Sequence, residues 1–496
     1  MGQRCPYAGG SVGGTGGAQM ERGGAGAAGI AVGIDLGTAS ATVAVFREGR
    51  CETLPNAEGS PTTPCVVSFA ENGRILVGEA ARRRALSHPQ RTVVSAKRHL
   101  GSGRTVTVDG EVYTAEEICG HILAKVKRDA EARLGAPITA AVLTVPAHFS
   151  ELGRRATRQA ARRAGLEVLR IVNEPTAAAF AYDHSRLWDR ERDDTTLLVV
   201  HFGGGTFDVS LIAVGDGVVD VQATCGDNAL GGDDWDAALA AHLAAGRGNS
   251  PAALTRLTDA AERAKTDLSS RSETEIDLPY LYPATATEGP LHLRETLTRA
   301  TFQAVTAGLL ARCEGPLRKV FADAGLPTEV TRVVLVGGSA RMPAVRDLVT
   351  RVVGPRARLH HLPGELVAHG AALQAAVLRG LYRTTLLSDV TPLSLGIGTK
   401  GGTVRRLIER NTDIPTRRTE RFETVDPDTE SLRIPVCQGE SDLLADNVLL
   451  GHVTISDLGR AAFGKPIDVT FDLDASAELV IRVRHPVTGR EHRFSF

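Results

Sequence analysis

Between residue 30 and about residue 381, short runs of β-branched residues alternate with longer Ala-, Arg- and Leu-rich stretches of helical spacing. This alternation is typical of parallel sheets covered by helices. One helix is predicted in detail, since Thr114 and Glu117 form a capping box, apolar positions recur at helical spacing after them, and Gly135 can close the end. A strand over residues 140–147 is predicted to follow this helix.

After Asp389 the pattern changes to alternating apolar and polar residues with turn residues between the segments, which is typical of an all-β unit. The stretch 383–390, between the α/β pattern and the all-β pattern, is the predicted linker. Residues 1–29 are rich in Gly and Ala and are predicted to be a disordered leader. The predicted organisation is therefore an α/β domain over 30–382, the linker, and a β domain over 391–496.

Composition narrows the choice of partners. Lys and Arg total 57 and Asp and Glu total 58, so no excess charge predicts a nucleic-acid or anionic-membrane partner. No apolar stretch approaches the roughly 18 residues of a membrane span. The seven cysteines are scattered singly, which predicts neither a disulfide framework nor a zinc site and favours a reducing cytoplasm.

Three glycine turns follow predicted strands, at GIDLGT (33–38), HFGGGTFD (201–208) and VLVGGSARMP (334–343). Glycines let backbone N–H groups approach phosphate oxygens, threonines add donors, and aspartates hold the hydrated magnesium that accompanies a nucleotide. A lone glycine turn after a strand is more often only a turn. Three in one α/β region favour a nucleotide cleft between two related halves.

The chain resembles the DnaK-type seventy-kilodalton heat-shock chaperones over roughly residues 30–485. The resemblance rests on these three loops, in family order with SAKRHLG (95–101), VLRIVNEPTAAAFAY (168–182), GDNALGGDDWD (226–236), AERAKTDLSS (261–270) and DVTPLSLGI (389–397). It implies an α/β actin-like two-lobed ATPase domain followed by an all-β sandwich that grips extended peptides. ATP or ADP with Mg²⁺ are the implied ligands.

The resemblance also implies a role for individual residues. Catalytic roles fall on Lys97, Glu174, Thr206 and Asp208, and metal binding on Asp35 and Asp208. Phosphate contacts are implied for Asp35, Gly37, Thr38, Gly203, Gly204, Gly205 and Thr206. Adenosine contacts are implied for Glu262, Lys265, Ser269, Gly337, Gly338, Ser339 and Arg341.

Without the resemblance, simpler interpretations of the same residues stay open. Lys97 could be a surface lysine, and Glu174 a favourable acid in the first turn of a helix. The positions Glu262, Lys265 and Ser269 could be a solvated helix face. These roles therefore rest on the family match.

His201 departs from the family, which has an aspartate there that helps to hold magnesium-bound water. A neutral imidazole accepts only one hydrogen bond, and a protonated one repels the metal. Asp35 and Asp208 could still hold a hydrated magnesium, so we expect slower hydrolysis rather than lost binding. A packed histidine without a role is the alternative.

The β half departs further. The resemblance assigns peptide contacts to Leu395, Ile397, Phe422, Leu432 and Ile434, although an ordinary sandwich core explains them equally well. Charged residues stand at usually apolar positions, Lys400 above the peptide and Glu478 near the pocket, and Val425 replaces a small partner of Lys400. Unpaired charge disfavours a bare apolar peptide. The family's helical lid after the sandwich is expected to be absent, with fast peptide release.

Coupling between nucleotide and peptide sites is implied for Pro146, Arg154, Arg170 and Asp389, and the last two also match positions that face a J-domain co-chaperone. The segment 246–253 is shorter than the corresponding family region, which leaves contact with a nucleotide-exchange factor open.

Three functions remain possible from the sequence. The first is an ATP-dependent chaperone for unfolded or extended polypeptides. The second is a kinase of the same fold superfamily, such as a sugar kinase, which the linker, the third glycine loop and the β domain disfavour. The third is an ATP-sensing module that binds one protein partner with slow or no hydrolysis, which His201, Lys400 and Glu478 favour.

Overall fold

The structure is a computed structural model of the 496-residue chain. It describes residues 29–185, 195–215, 217–245, 250–282, 291–326, 330, 332–362, 364–382, 386–423, 430–456, 458 and 460–496. Four predictions lie wholly or partly outside these residues: nearly all of the leader, the start of the linker, the shortened segment from residue 246, and Val425.

The first part of the chain forms one mixed sheet with small hairpins and helices around it. Its strands are β1 (Ile30–Leu36), β2 (Ser40–Arg47), β3 (Arg50–Thr53), β4 (Thr63–Pro64), β5 (Val66–Phe69), β6 (Ile75–Val77), β7 (Thr92–Val94), β8 (Thr105–Val108), β9 (Glu111–Thr114), β10 (Ile138–Val145) and β11 (Glu167–Asn173). Its helices are α1 (Glu79–Ala85), α2 (Ala115–Leu134), α3 (Glu151–Arg163) and α4 (Glu174–Ser185), with 3-10 turns at Pro89–Arg91 and Ala96–His99.

The second part repeats this plan. Its strands are β12 (Thr195–Phe202), β13 (Phe207–Gly215), β14 (Val218–Asp227), β15 (Glu273–Tyr282), β16 (Leu291–Thr298), β17 (Arg332–Val336) and β18 (Arg358–His361). Its helices are α5 (Gly232–Ala244), α6 (Pro251–Leu268), α7 (Arg299–Val305), α8 (Ala307–Ala324), α9 (Pro343–Val353) and α10 (Leu366–Leu378), with a 3-10 turn at Ser339–Arg341.

The rest of the chain is built from strands. These are β19 (Leu386–Val390), β20 (Leu395–Gly398), β21 (Val404–Ile408), β22 (Asp413–Ile414), β23 (Thr416–Glu423), β24 (Leu432–Gln438), β25 (Val448–Ile455), β26 (Pro466–Leu473), β27 (Leu479–Arg484) and β28 (Glu491–Ser495), with 3-10 turns at Leu444–Asp446 and Arg460–Ala462. The prediction that the chain is all-β after Asp389 is confirmed for the residues that the structure describes.

The two large sheets share one strand order. The first runs β11-β10-β1-β2-β3, with β4 beside β2, and the second runs β18-β17-β12-β13-β14 and continues into β19 and β22. In each, an antiparallel meander joins two parallel strands that arrive through helical crossovers. The first strand of each meander ends in a glycine turn, so the shared order places two such turns in equivalent positions.

Helices α4 and α10 pack between the two sheets. An apolar cluster there combines residues of both sheets, both helices and β19. The helices touch at Gly370, where a Cβ atom would lie 1.9 Å from the carbonyl oxygen of Ala177, so only glycine permits this approach. The close contact fixes the distance between the two sheets and therefore the geometry of the edges that face each other.

Helix α2 follows the sequence prediction closely. The Thr114 side chain accepts a hydrogen bond from the Glu117 N–H, the Glu117 carboxylate accepts one from the Thr114 N–H, and Gly135 ends the helix with φ 66°. The predicted strand at 140–147 is observed as β10, which begins and ends two residues earlier, at Ile138–Val145. No helix among the described residues is long and apolar enough to cross a bilayer.

The last strands form two facing four-stranded sheets, β21-β20-β24-β25 and β23-β26-β27-β28. Strand β26 shows why they face each other, because its alternate residues Ile467, Val469, Phe471 and Leu473 are all buried. The described part of the predicted linker is a strand, because Leu386–Val390 pairs with β14 on one side and with β22 on the other.

Candidate functional site

The first glycine loop joins β1 to β2. Gly37 N–H donates to the Ser40 carbonyl at 3.0 Å, which closes a tight turn and leaves Thr38 at its tip. Asp35 precedes this turn at the end of β1, and its Oδ1 accepts a hydrogen bond from the Thr144 hydroxyl at 2.7 Å. Burial, and then the nearby charge of Glu174, raise the pKa of Asp35.

The second glycine loop joins β12 to β13 and meets the first. Gly203 N–H donates to the Thr206 carbonyl at 3.1 Å. A Cβ atom on Gly205 would lie 2.3 Å from the Thr38 hydroxyl oxygen, so the two loops approach each other too closely for any side chain at this position. Gly204 and Thr38 both line the cleft that opens beside this contact.

The third glycine loop follows β17 and is tied to the second. Gly337 has φ 94°, a conformation that favours glycine, and its backbone turns the chain toward Gly203. The Ser339 hydroxyl donates to the Gly203 carbonyl at 2.9 Å. Gly338 and Arg341 complete this wall of the cleft.

Helix α6 supplies the opposite wall, with Glu262, Lys265 and Ser269 facing the cleft. Lys265 Nζ donates to Asp236 at 2.6 Å and to the Gly232 carbonyl at 2.9 Å, which holds the lysine against α5. Glu262, Lys265 and Ser269 are therefore not simply a solvated helix face. These walls enclose about 620 Å³ of space, enough for a nucleotide.

A buried ion pair lies at the closed end of the cleft. Lys97 is 3% exposed and Glu174, the first residue of α4, is 2% exposed, and Lys97 Nζ donates to Glu174 Oε1. Burial by itself would lower the pKa of Lys97, but the charges of Glu174 and Asp35 outweigh it and raise the pKa. The interpretation of Lys97 as a surface lysine is therefore wrong.

His201 and Asp208 lie beside this ion pair, opposite each other in the β12–β13 register. His201 Nδ1 is 3.1 Å from Glu174 Oε2 but forms no hydrogen bond in this geometry. Asp208 Oδ1 accepts a hydrogen bond from the His148 N–H at 3.1 Å, whereas its Oδ2 is buried without a partner. Burial, and then the charge of Glu174, raise the pKa of Asp208 to about 6.

This arrangement fits the triphosphate of a nucleotide and its cation. Backbone N–H groups and threonine hydroxyls of two loops converge on one side, and Lys97 supplies a fixed positive charge. Three carboxylates, those of Asp35, Glu174 and Asp208, can hold a divalent cation directly or through water. One atom each from Glu174, His201 and Asp208 lies within 4.8 Å of the other two, so these residues could share an ion.

The predicted coupling residues meet outside the cleft. Arg154 donates to Asn173 Oδ1, and Asn173 Nδ2 donates to Asp389 Oδ1 at 2.9 Å. Asp389 also accepts from the Thr176 hydroxyl at 3.2 Å, and Arg170 Nε donates to the carbonyl of Ala475 in the β26–β27 turn at 3.2 Å. These bonds form a junction between the first sheet, β19 and the sandwich.

Further contacts extend this junction. Pro146 follows β10 and leads into α3, where the Glu151 N–H donates to Gln438 at 2.9 Å and Arg158 donates to the Ser476 carbonyl at 3.0 Å. On the other side, Arg410 forms a two-pronged ion pair with Asp323 of α8.

The predicted peptide contacts lie in or against the sandwich core. Leu395, Ile397 and Ile434 are buried in it, and Phe422 and Leu432 pack on it half-buried. Lys400 is exposed. Glu478 lies at the β26–β27 turn, near enough to Glu151 for its charge to raise the pKa of Glu151. These positions fit a sandwich core as well as they fit a peptide pocket.

Several polar residues of the two sites were missed by sequence reasoning. In the cleft they are Thr144, which bonds Asp35, and Asp233, which accepts a hydrogen bond from the Ser95 hydroxyl at 2.5 Å and so joins the two lobes. At the junction they are Asn173 and Thr176. Three of these residues carry a usable signal, since Asp233 belongs to the quoted motif GDNALGGDDWD, and Asn173 and Thr176 belong to the quoted motif VLRIVNEPTAAAFAY.

Comparison with known protein families supports the resemblance at the level of the broad family. A family model described as Hsp70 protein matches residues 31–106 and 102–495. The match covers the three glycine loops, the buried ion pair, the junction and the sandwich.

Proposed function

Because the chain belongs to the Hsp70 protein family, whose members are ATP-dependent chaperones, we propose that it binds and hydrolyses ATP in the cleft and couples this to binding of unfolded or extended polypeptide. The observation that carries the proposal is the buried pair of Lys97 and Glu174 at the point where the glycine loops meet. A buried cation held in one orientation is suited to stabilise charge that develops on a phosphate.

Each part of the cleft then has a task. Gly37, Thr38, Gly203 to Gly205 and Thr206 donate to phosphate oxygens, while Lys97 faces the terminal phosphate. Glu174 orients Lys97 and can accept a hydrogen bond from the attacking water. A bound divalent cation would neutralise phosphate charge, with Asp35 and Asp208 holding its water ligands. Glu262, Lys265, Ser269, Ser339 and Arg341 lie where the nucleoside would extend.

The junction supports coupling. Asn173 and Glu174 are consecutive, and the first contacts Asp389 while the second contacts Lys97. A shift of this peptide segment on loss of the terminal phosphate would act on both clusters, and through Asp389 on β19 and the sandwich. Arg170 and Asp389 are also the proposed contacts of a J-domain co-chaperone.

The alternative is an ATP-sensing module that binds one protein partner with slow or no hydrolysis. Two observations favour it. His201 stands beside Glu174 where the family has a carboxylate, and three of the five proposed peptide contacts, Leu395, Ile397 and Ile434, are at most 6% exposed.

The two functions separate in an ATPase assay with and without a permanently unfolded, reduced and alkylated polypeptide. A chaperone hydrolyses ATP faster with the polypeptide, and Lys97→Ala lowers the single-turnover rate about 100-fold, as expected for loss of one charge-stabilising group. The matched control is Lys125→Ala, because Lys125 is also buried and paired, with Asp129 at 2.6 Å, but lies outside the cleft.

The control should hydrolyse ATP at the wild-type rate. Hydrolysis that survives Lys97→Ala unchanged contradicts the proposed role of the cleft. ATP binding without polypeptide-stimulated hydrolysis favours the sensing module.

A further inference from the structure

We propose that Glu174, His201 and Asp208 form a site for a first-row transition-metal dication such as Mn²⁺ or Co²⁺, which the chain binds in preference to Mg²⁺. The inference deepens the proposed function, because this cation would accompany the nucleotide. It concerns this chain's own ligand set, in which an imidazole stands beside two carboxylates.

The distances approach those of a coordination sphere. Two ligands at right angles, each about 2.1 Å from a metal, lie about 3.0 Å apart, and opposite ligands lie about 4.2 Å apart. His201 Nδ1 and Glu174 Oε2 are 3.1 Å apart, and the three candidate ligand atoms all lie within 4.8 Å of one another.

Two of the ligand atoms form no hydrogen bond within the protein. His201 is 8% exposed and Asp208 is 0% exposed, yet His201 Nδ1 and Asp208 Oδ2 form no hydrogen bond. Buried polar atoms are nearly always paired, and leaving one unpaired is unfavourable. One ligand atom of His201 and one of Asp208 lie within 4.8 Å of each other, so a single ion could bind both residues.

Charge also favours a cation in this space. Glu174 and Asp208 are buried and Asp35 is partly buried, the charge of Glu174 repels both aspartates, and Lys97 bonds only Glu174 among the three. Water would satisfy the two open atoms but would leave this repulsion in place. A dication satisfies the atoms and offsets the charge.

The imidazole decides which dication binds best. Mg²⁺ prefers an all-oxygen octahedron and gives up its waters reluctantly. Imidazole nitrogen suits transition metals, and affinity for mixed N and O sites rises from Mn²⁺ to Co²⁺ along the first row. A neutral His201 can use the free electron pair of Nδ1 for such a bond, since no proton donor occupies it.

The test uses the full chain without nucleotide and Mn²⁺ as the probe. Mn²⁺ binding is followed by electron paramagnetic resonance during titration with Mg²⁺, and pulsed measurements detect ¹⁴N coupling from a metal-bound imidazole. We expect ¹⁴N coupling in the wild type, and displacement only when Mg²⁺ exceeds Mn²⁺ by about tenfold or more, as a nitrogen ligand predicts.

Two variants identify the nitrogen. His201→Asp should abolish the ¹⁴N coupling and reduce the preference for Mn²⁺ about tenfold, because the site becomes all-oxygen. His242→Asp is the matched control, since His242 is exposed on α5, and it should behave like the wild type. His201→Asn gives the same readout without a further negative charge, in case the aspartate variant does not fold.

Mn²⁺ that Mg²⁺ displaces at equal concentration, or ¹⁴N coupling that persists in both His201 variants, overturns the inference. Binding of a fluorescent ATP analogue in the presence of Mg²⁺ is measured in parallel. If the analogue binds and no ¹⁴N coupling is seen, the metal preference fails and the proposed function stands. If ¹⁴N coupling is seen and the analogue does not bind, the metal site stands and the proposed nucleotide binding fails.

Discussion

Two buried polar clusters, the junction around Asp389 and the site around Lys97, lie on either side of the peptide bond between Asn173 and Glu174. They differ in how many of their polar atoms form hydrogen bonds. At the junction, both oxygens of Asp389 accept hydrogen bonds, from Asn173, Thr176 and the Val390 N–H. In the cleft, His201 Nδ1 and Asp208 Oδ2 are buried with no partner. A similar set of buried charges can therefore either be fully paired and stabilise the fold, or keep unpaired atoms to which a ligand can bind.

The position of the peptide bond explains why the clusters can communicate. Strand β11 ends at Asn173 and helix α4 begins at Glu174, so neighbouring side chains leave the backbone in different directions. Neither residue can shift without moving the other. We therefore expect substitutions at these two positions to separate chemistry from coupling.

The largest effect is expected for Glu174→Gln. The variant keeps the shape of the side chain but removes the charge that orients Lys97 and the group that can accept a proton from water. Single-turnover ATP hydrolysis should fall about 100-fold. The control is Glu167→Gln at the exposed start of strand β11, which ends just before Glu174, and this variant should hydrolyse ATP normally. A rate within a few-fold of wild type in the first variant would remove Glu174 from the chemistry.

Asn173→Ala should give the opposite pattern and a smaller effect. It removes the bridge between Arg154 and Asp389 and leaves buried groups unpaired, which should lower the free energy of unfolding by about 1–3 kcal/mol. Hydrolysis without polypeptide should stay near the wild-type rate, while stimulation by an unfolded polypeptide is lost. Asn72→Ala, at an exposed asparagine, is the control. Retained stimulation would show that the junction does not couple the two regions.

The smallest effect concerns the pH dependence of the junction at Glu151. Burial, opposed by Arg154 and Arg158 and assisted by Glu478 and Asp474, raises the pKa of Glu151 from 4.5 to about 7. A raised pKa in the folded state means that the stabilisation is complete below the unfolded pKa and is lost as pH rises through about 7.

Urea unfolding of the wild type and Glu151→Gln between about pH 5 and pH 8 tests this. The amide cannot ionise, so the wild type should lose stability relative to the variant as pH rises. A difference that stays constant over this range would mean that the Glu151 carboxyl is not sensitive to pH in the folded protein.

Some parts of the site could be predicted because their signal is local. The three glycine loops follow strands in the sequence, and the capping box and Gly135 bound α2 as predicted. The family resemblance identified Lys97 and Glu174 as site residues, and the structure shows that they form one ion pair. Sequence spacing could not show this pairing, because the two residues lie 77 positions apart.

Other parts depend on contacts with no local pattern. The segment 386–390 was predicted as a linker from a change of texture, but its role as a strand depends on β14 and β22, which lie far away in sequence. Leu395, Ile397 and Ile434 show the same limit, because inward positions of a sandwich and the walls of a peptide pocket use the same apolar residues.

The sequence alone determined the order of the elements, the turns that need glycine, the switch from α/β to all-β and the family, because backbone preferences and side-chain periodicity act over a few residues. Only the tertiary structure decided which polar groups are paired. Asp389 is satisfied and Asp208 is not, although both are buried aspartates next to apolar strand residues. Their difference arises from neighbours brought together by folding, since hydrogen bonds and ion pairs act only over a few ångströms.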